Sequence, residues 1–530
     1  MTRTPRRNAH RIGAVVLAAV LGTSGLAAET VDAKASDAKK ADGPRLARKL
    51  TRDVTPNGVF RHLRAFQRIA EQNGNTRAAG TPGYDASVDY VAGRLESAGF
   101  DVTLHDFEFE YSEDNSEFEQ TSPEAITYVV GEDFSAAEFT PNATASGVVE
   151  GVDLVLPPAP EPNASSSGCE SEDFATFTAG NIALLQRGTC DFVVKAENAQ
   201  NAGAIGVVLF NEGQPGRTGV LAPSGELPGL TIPVIFATFD VGNALAAGTD
   251  VNVTITTDVL RETRVTQNVI AQTRTGRADN VVMAGAHLDS VPAGPGVNDN
   301  GSGSAALLET AMQLGPEAKV NNAVRFSFWG AEELGLLGSE AYVASLDFEQ
   351  QLDIAMYLNF DMVGSPNAGY FVYDGDDSDG EGAGPGPFGS AQIEQTFVDY
   401  LTMVKGIETE GTDFSGRSDY GPFIAVAIPA GGLFTGAEVP KTEEQALKWG
   451  GEAGIPFDPC YHEECDNLGN VNRDAVDANS DALAWTVATY GVSTEDVNGI
   501  GDRPTRRAAR ESQLAARTFA IESVTLADAA

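Results

Sequence analysis

VVMAGAHLDSVPAGPGVNDNGSGSAALLETAMQL, residues 281–314, is the stretch on which the fold turns. It opens with an apolar run that ends on His287, Leu288 and Asp289, passes through a loop of glycine and proline, and continues as a helical pattern over residues 303–314. A run that is apolar at consecutive rather than alternate positions belongs to a strand buried on both faces, as in a parallel sheet covered by helices. The same grammar recurs in NVIAQT (268–273), AVRFSFWG (323–330) and IAMYLNFDM (354–362), with helical stretches between them. In such sheets function gathers at the carboxyl ends of the strands. There the sequence places His287 and Asp289, then Glu332 and Glu333, then Asp361, with Asp299 in the glycine-rich loop and His462 far downstream between Cys460 and Cys465.

Residues two apart on a strand point the same way, so Asp289 is expected to reach the His287 imidazole and fix its tautomer. Zinc takes imidazole and carboxylate ligands, and a catalytic site keeps one position open for water. A pair of zinc ions about 3.5–4 Å apart needs a bridging carboxylate, several further ligands and an unliganded base. Singly, each residue has a plainer reading: a structural histidine, a solvated helix start, a turn aspartate, a helix cap. Together at the ends of successive core strands they read as a metal site. The chain has five histidines, one of them His10 in the N-terminal segment, so two of the remaining four in these positions carries weight.

At 530 residues the chain exceeds the roughly 250–300 at which one core stops growing, so more than one domain is expected. Its 42% hydrophobic and 21% charged residues suit a packed globular protein. Residues 1–28 carry Arg3, Arg6, Arg7 and Arg11, an apolar run over 12–21, and small residues ending at Ala27 and Ala28, the layout of a signal peptide for general secretion. That run falls short of the roughly 20 residues that span a bilayer, so no stable membrane anchor is expected. The net charge of −40, more negative still without those arginines, repels nucleic acid and anionic membranes. Four cysteines in a secreted chain should be paired. Cys460 and Cys465 can close a small loop, leaving Cys169 with Cys190, although four cysteines allow three connectivities and a cysteine pair beside His462 is also metal-like.

Residues 29–54 read as a linker or pro-segment, and helical patterns follow at about 58–72 and 84–98. From 131 to 262 the chain changes character, with clustered prolines and short apolar runs. Within it NIALLQRGTCDFVVKAENAQNAGAIGVVLFNEG (181–213) gives strand, loop, helix and strand, and IPVIFAT (232–238) a further strand. This segment resembles a protease-associated (PA) domain, including an RGxCxF-like stretch at Arg187, Gly188, Cys190 and Phe192.

AHLDSVPAGPGVNDNGSG (286–303), FWGAEELGLLGS (328–339) and YLNFDMVGS (357–365) resemble the motifs of the secreted two-zinc aminopeptidases of peptidase family M28. SGRSDYGPF (415–423), DPCYHEECD (458–466) and NGNTRAAGTPGYDASVDYVAGRLESAGF (73–100) extend the likeness. The resemblance implies an α/β fold with a mixed, mainly parallel sheet flanked by helices, of the zinc aminopeptidase and phosphorylase/hydrolase-like kind, with a smaller α/β PA domain inserted. It divides the chain into 55–130 and 263–492 as the catalytic domain, 131–262 as the PA domain and 493–530 as a C-terminal tail or extension. It implies two zinc ions per chain, His287 and Asp361 on one, Glu333 and His462 on the other, and Asp299 bridging. Glu332 would be the general base, Tyr461 would donate to the oxyanion, and a disulfide between Cys460 and Cys465 would hold Tyr461 and His462. Arg417 and Phe423 would meet the substrate, and Asp477 with Asp481 would form a calcium site such as some relatives have. Peptides with a free N-terminus are the implied substrates, and a monomer the implied state. The competing readings are an M28-fold carboxypeptidase or amidohydrolase, a single-zinc glutaminyl-cyclase-like enzyme, and a PA-containing binding protein without catalysis.

Overall fold

The computed structural model describes residues 42–137, 140–221, 229–380, 382, 384–499 and 503–528, so the signal peptide expected at 1–28 and the first half of the segment at 29–54 lie outside the described residues. Eight strands build one mixed sheet: β1 (Val102–Asp114), β2 (Val259–Gln272), β3 (Arg277–His287), β4 (Asn322–Trp329), β5 (Ile354–Phe360), β6 (Phe371–Tyr373), β7 (Glu410–Thr412) and β8 (Ala430–Phe434). Their spatial order is β1-β2-β4-β3-β5-β8-β6-β7. The four central strands β4, β3, β5 and β8 run parallel. They are covered on both faces, as their unbroken apolar runs require: Val282, Ala284 and Ala286 pack with Phe66, Leu307 and Leu483, whereas Met283 packs with Tyr357, Phe423 and Tyr342. The run NVIAQT ends β2, which is antiparallel to both β1 and β4 rather than parallel. A continuous apolar run specifies burial on two faces and not direction.

A second eight-stranded sheet lies in the inserted segment. Ala143–Gly151, Ile182–Gln186, Gly206–Phe210 and Val234–Ala237 are its parallel strands, and Asn252–Thr257, Glu117–Ser122, Ile126–Tyr128 and Phe134–Ala136 extend it antiparallel. By sheet membership the chain crosses into this module between Asp114 and Glu117 and returns between Thr257 and Val259, whereas the change of composition falls at 131 and 262. The reason is that β1 and β2 form a long antiparallel ribbon with alternating buried and exposed positions, so no compositional break marks the crossing.

Both terminal segments, expected as a linker or pro-segment and as a tail or extension, contain a helix. Gly43–Asp53 is a helix capped by the Asp42 side chain, and its Ala47 and Leu50 are buried in the same core as Leu483 and Val487. About three turns with only Leu46, Ala47 and Leu50 on the apolar side carry too few apolar positions for a period to register in the sequence. At the other end a helix spans Arg503–Asp528. Arg503 pairs with Glu349 at 2.7 Å, and Arg506 donates to the carbonyls of Asp279 and Leu352 at 2.5 and 3.2 Å. These contacts anchor it at the amino ends of β3 and β5, away from the carboxyl ends where the site lies. No described helix is long and apolar enough to cross a membrane.

Candidate active site

The ends of β3, β4 and β5 bring His287, Glu332, Glu333 and Asp361 together, and two loops deliver Asp299 and His462 from outside the sheet. The two carboxylate oxygens of Asp299 face different histidines: Oδ1 lies 3.3 Å from His287 Nε2 and Oδ2 lies 3.3 Å from His462 Nε2. Each histidine has a second carboxylate, Asp361 Oδ1 at 3.3 Å from His287 and Glu333 Oε2 at 3.1 Å from His462. Glu332 Oε2 stands slightly back, 3.9 Å from His287 Nε2. Glu333 Oε1 and Asp361 Oδ1 are buried without a hydrogen-bond partner. A buried carboxylate oxygen left so is costly unless a cation takes it up. The donor set, imidazole with carboxylate in two groups sharing one carboxylate, fits a pair of divalent ions.

The backbone is bent hard around this cluster. Ala331, Met362 and His462 have φ of 54°, 49° and 61°, each at or beside a site residue. Such conformations cost a residue other than glycine on the order of 1–3 kcal/mol and persist where the surrounding structure over-determines them. Here that structure is a shell of buried polar groups. Asp466 accepts the backbone N–H groups of Asn298 and Asp299 at 2.9 and 3.0 Å and so aims the shared carboxylate. Arg77, wholly buried, donates to the carbonyls of Pro295, Gly296 and Leu288, and ties down the loop between His287 and Asp299. Ser418 Oγ donates to Asp361 Oδ2 at 2.6 Å. None of these three was singled out from the sequence, although Asp466 closes DPCYHEECD, Arg77 opens RAAGTPG and Ser418 lies in SGRSDYGPF.

Asp289 stands beside the His287 imidazole, and its carboxylate makes further contacts as well. Its carboxylate accepts the backbone N–H groups of Glu332 and Glu333 at 3.2 and 3.3 Å. His287 Nδ1 faces the Asp289 backbone carbonyl at 3.3 Å, and the carboxylate is farther, at 3.6 Å. Cys460 and Cys465 form a disulfide, as do Cys169 and Cys190, so neither pair offers thiolates to a metal. Between the first two, the Tyr461 ring stacks on His462 with centroids 3.8 Å apart.

Burial pushes the Glu332 carboxyl well above the usual range, and Asp361, Asp419 and Glu333 add to it. Burial, then Asp299, raises Glu333 to about 7. For His462 burial alone would lower the value, but hydrogen bonds to Asp299 and Glu333 push it up to about 10; His287 is likewise raised against its burial, by Asp361 and Glu332. Asp299 is buried too, yet hydrogen bonds to both histidines hold it below the usual carboxylate range. Without metal, the carboxylates hold both imidazoles protonated but leave Glu333 Oε1 and Asp361 Oδ1 without a hydrogen bond. Metal ligation takes the neutral imidazole, so those protons are what an ion displaces.

A cavity of about 390 Å³ opens against the cluster, with Phe371, Phe434, Val439 and Phe457 on its apolar wall and Arg417, Glu438 and Tyr461 near the metal side. Arg417 pairs with Glu438 at 3.1 Å and lies 3.4 Å from the Tyr461 hydroxyl. Phe423 is not part of the cavity lining. It is fully buried and stacks on Tyr357 with centroids 4.0 Å apart, because it sits on the inward face of a short helix, Tyr420–Ala425. At the expected calcium site Lys405 Nζ lies 2.5 Å from Asp481 and 3.4 Å from Asp477, so an ammonium supplies positive charge there.

A mixed α/β sheet with paired imidazole and carboxylate groups at its carboxyl edge defines a hydrolase of the metal-dependent kind. A family profile described as Peptidase family M28 matches residues 268–487, and one described as PA domain matches residues 150–245. An aminopeptidase of Pseudomonas aeruginosa is 48% identical over 453 residues, covering 85% of this chain and 83% of its own. A probable lipoprotein aminopeptidase, LpqL, of Mycobacterium tuberculosis is 44% identical over 84% of this chain and 87% of its own. The chain belongs to peptidase family M28, with a PA domain inserted. The solved zinc aminopeptidase of Bacillus subtilis shares the fold, with a TM-score of 0.57 at 24% identity over 82% of this chain and 94% of that one.

Proposed function

We propose that this enzyme is a secreted aminopeptidase that removes single residues from the free N-terminus of peptides at a centre of two zinc ions. The observation that carries the reading is Asp299, whose two oxygens each face a different histidine, each with a carboxylate of its own. His287 and Asp361 would hold one ion, Glu333 and His462 the other, and Asp299 both. The relatives named as aminopeptidases, among them a zinc enzyme, support the same activity. Two divalent ions also match the charge of the four carboxylates Asp299, Glu332, Glu333 and Asp361 that converge there. The expected signal peptide and two disulfides support secretion.

When bound, zinc acidifies a water and polarises the scissile carbonyl. The chain's own residues do the rest. Glu332, set back from the donor pairs and facing the cavity, takes the proton from the attacking water and passes it to the departing amine. Burial, then Asp299 and Glu333, raises the Tyr461 hydroxyl well above its ordinary value, so it stays protonated and donates to the oxygen that gains charge. The apolar cavity takes the first side chain. A carboxypeptidase would need a free cation for the substrate carboxylate, and the only Lys or Arg that lines the cavity among the described residues, Arg417, already pairs with Glu438.

The test is a panel of peptides beginning with leucine or phenylalanine, each with a free and an acetylated N-terminus. The free peptides are expected to release their first residue, and acetylation, which removes the cationic amine, to abolish release. Equal hydrolysis of both forms, or release from the C-terminus, overturns the aminopeptidase reading.

A further inference from the structure

The cluster stands between two cavities. The apolar one lies toward β8 and β6. The other is a trough of about 970 Å³ toward β1 and β2, lined by every residue from Glu108 to Asp114, by Thr263 and by Glu333. Glu333 lines both, so the trough begins at the candidate metal centre. The strand order puts β3 and β5, which deliver His287 and Asp361, between the two cavities. A peptide whose first side chain fills the apolar cavity and whose first carbonyl sits at the cluster has the trough as the way onward for its remaining residues.

The trough has a backbone wall. Side chains of a strand alternate between faces, so a cavity touched by every residue of a stretch reaches the strand's backbone as well as the face that Glu110 shares with Thr263. β1 is the outermost strand of its sheet and, among the described residues, pairs only with β2. Its outward N–H and C=O groups form an unused template for an extended chain. At about 3.3 Å per residue, the stretch from Glu108 to Asp114 offers roughly 20 Å, room for about six residues.

The wall is also acidic. Glu108, Glu110, Glu113 and Asp114 line the trough, and among the described residues no Lys or Arg does. Glu110 accepts from the Thr263 hydroxyl at 2.7 Å and Glu113 from the Tyr111 hydroxyl at 3.3 Å, both neutral donors. Arg264, stacked over the Tyr111 ring, is paired with Glu262 at 2.6 Å.

We propose that the substrate chain downstream of the scissile bond docks in this trough as an added strand along β1, and that its acidic wall selects peptides carrying Lys or Arg in the positions after cleavage. The proposal rests on the aminopeptidase reading. The test uses the full zinc-loaded enzyme with leucine p-nitroanilide, which has no downstream chain, and with Leu-Gly-Lys-Gly-Lys-Gly-amide, its Glu counterpart, and the Lys peptide N-methylated at alternate backbone nitrogens. At low salt kcat/KM is expected to favour the Lys over the Glu peptide by about tenfold, to lose that margin at high salt, and to fall severalfold on N-methylation. Glu108→Gln with Glu110→Gln should remove most of the Lys preference and leave leucine p-nitroanilide unchanged. Equal rates on the two peptides, or a preference untouched by the double substitution, overturns the charge selection. Indifference to N-methylation overturns the strand pairing. Failure to cleave leucine p-nitroanilide would instead bring down the aminopeptidase reading beneath it.

Discussion

Replacing Glu332 by Gln is expected to lower kcat by about 10²–10⁴-fold, the usual range for loss of a general base, while zinc content stays at the parent's level. The substitution keeps the side chain's shape and removes only its capacity to carry a proton. Glu332 stands 3.9 Å from His287 and, unlike Glu333, is not one of the two residues paired most closely with either histidine. Glu333→Gln should therefore fail differently, by losing zinc, because its Oε2 faces His462 at 3.1 Å and its Oε1 is buried with no other partner. Activity and metal content measured together on the two variants separate the roles. Near-parental turnover in fully loaded Glu332→Gln sinks the assignment of the base, and zinc loss there means that the neighbours have exchanged roles.

The second large effect is expected at Asp299. Removing its carboxylate by Asp299→Ala takes a donor from both histidine groups at once, so both ions should be lost and activity should fall by more than the roughly 10⁴-fold that removal of a base alone can cost. His462→Ala removes a donor from one group only and should leave the ion at His287 and Asp361 in place. Circular dichroism of the metal-free proteins guards against a folding defect: the variant should keep the parent's spectrum, although its unfolding temperature should shift, because it loses the contacts of Asp299 with His287 and His462. An Asp299→Ala protein that keeps two ions and its turnover contradicts the shared-carboxylate geometry.

What could be read from the sequence was the part encoded locally. The unbroken apolar runs announced β3, β4 and β5, and the polar residues at their ends announced the cluster, because a strand's end is visible where its apolar run stops. The shell behind the cluster was not legible. Asp466 and Asp289 act on backbone N–H groups, and Arg77 on backbone carbonyls, partners that exist only once the loops have taken their paths. Lys405 lies 72 residues before Asp477, so an acidic pair that looks free in the sequence is satisfied in space. Phe423 and Arg417 belong to one motif, but a short helix turns one into the core and leaves the other at the cavity. The antiparallel course of β2 was hidden for a related reason, since its buried end has the same apolar composition as a parallel strand.

The central claim is a centre of two metals built around Asp299, and the most direct measurement is a zinc titration of the metal-free enzyme, following bound zinc and leucine p-nitroanilide hydrolysis in the same samples. The account predicts saturation at two zinc ions per chain, with full activity reached only as the second binds. Saturation and full activity at a single ion would contradict it.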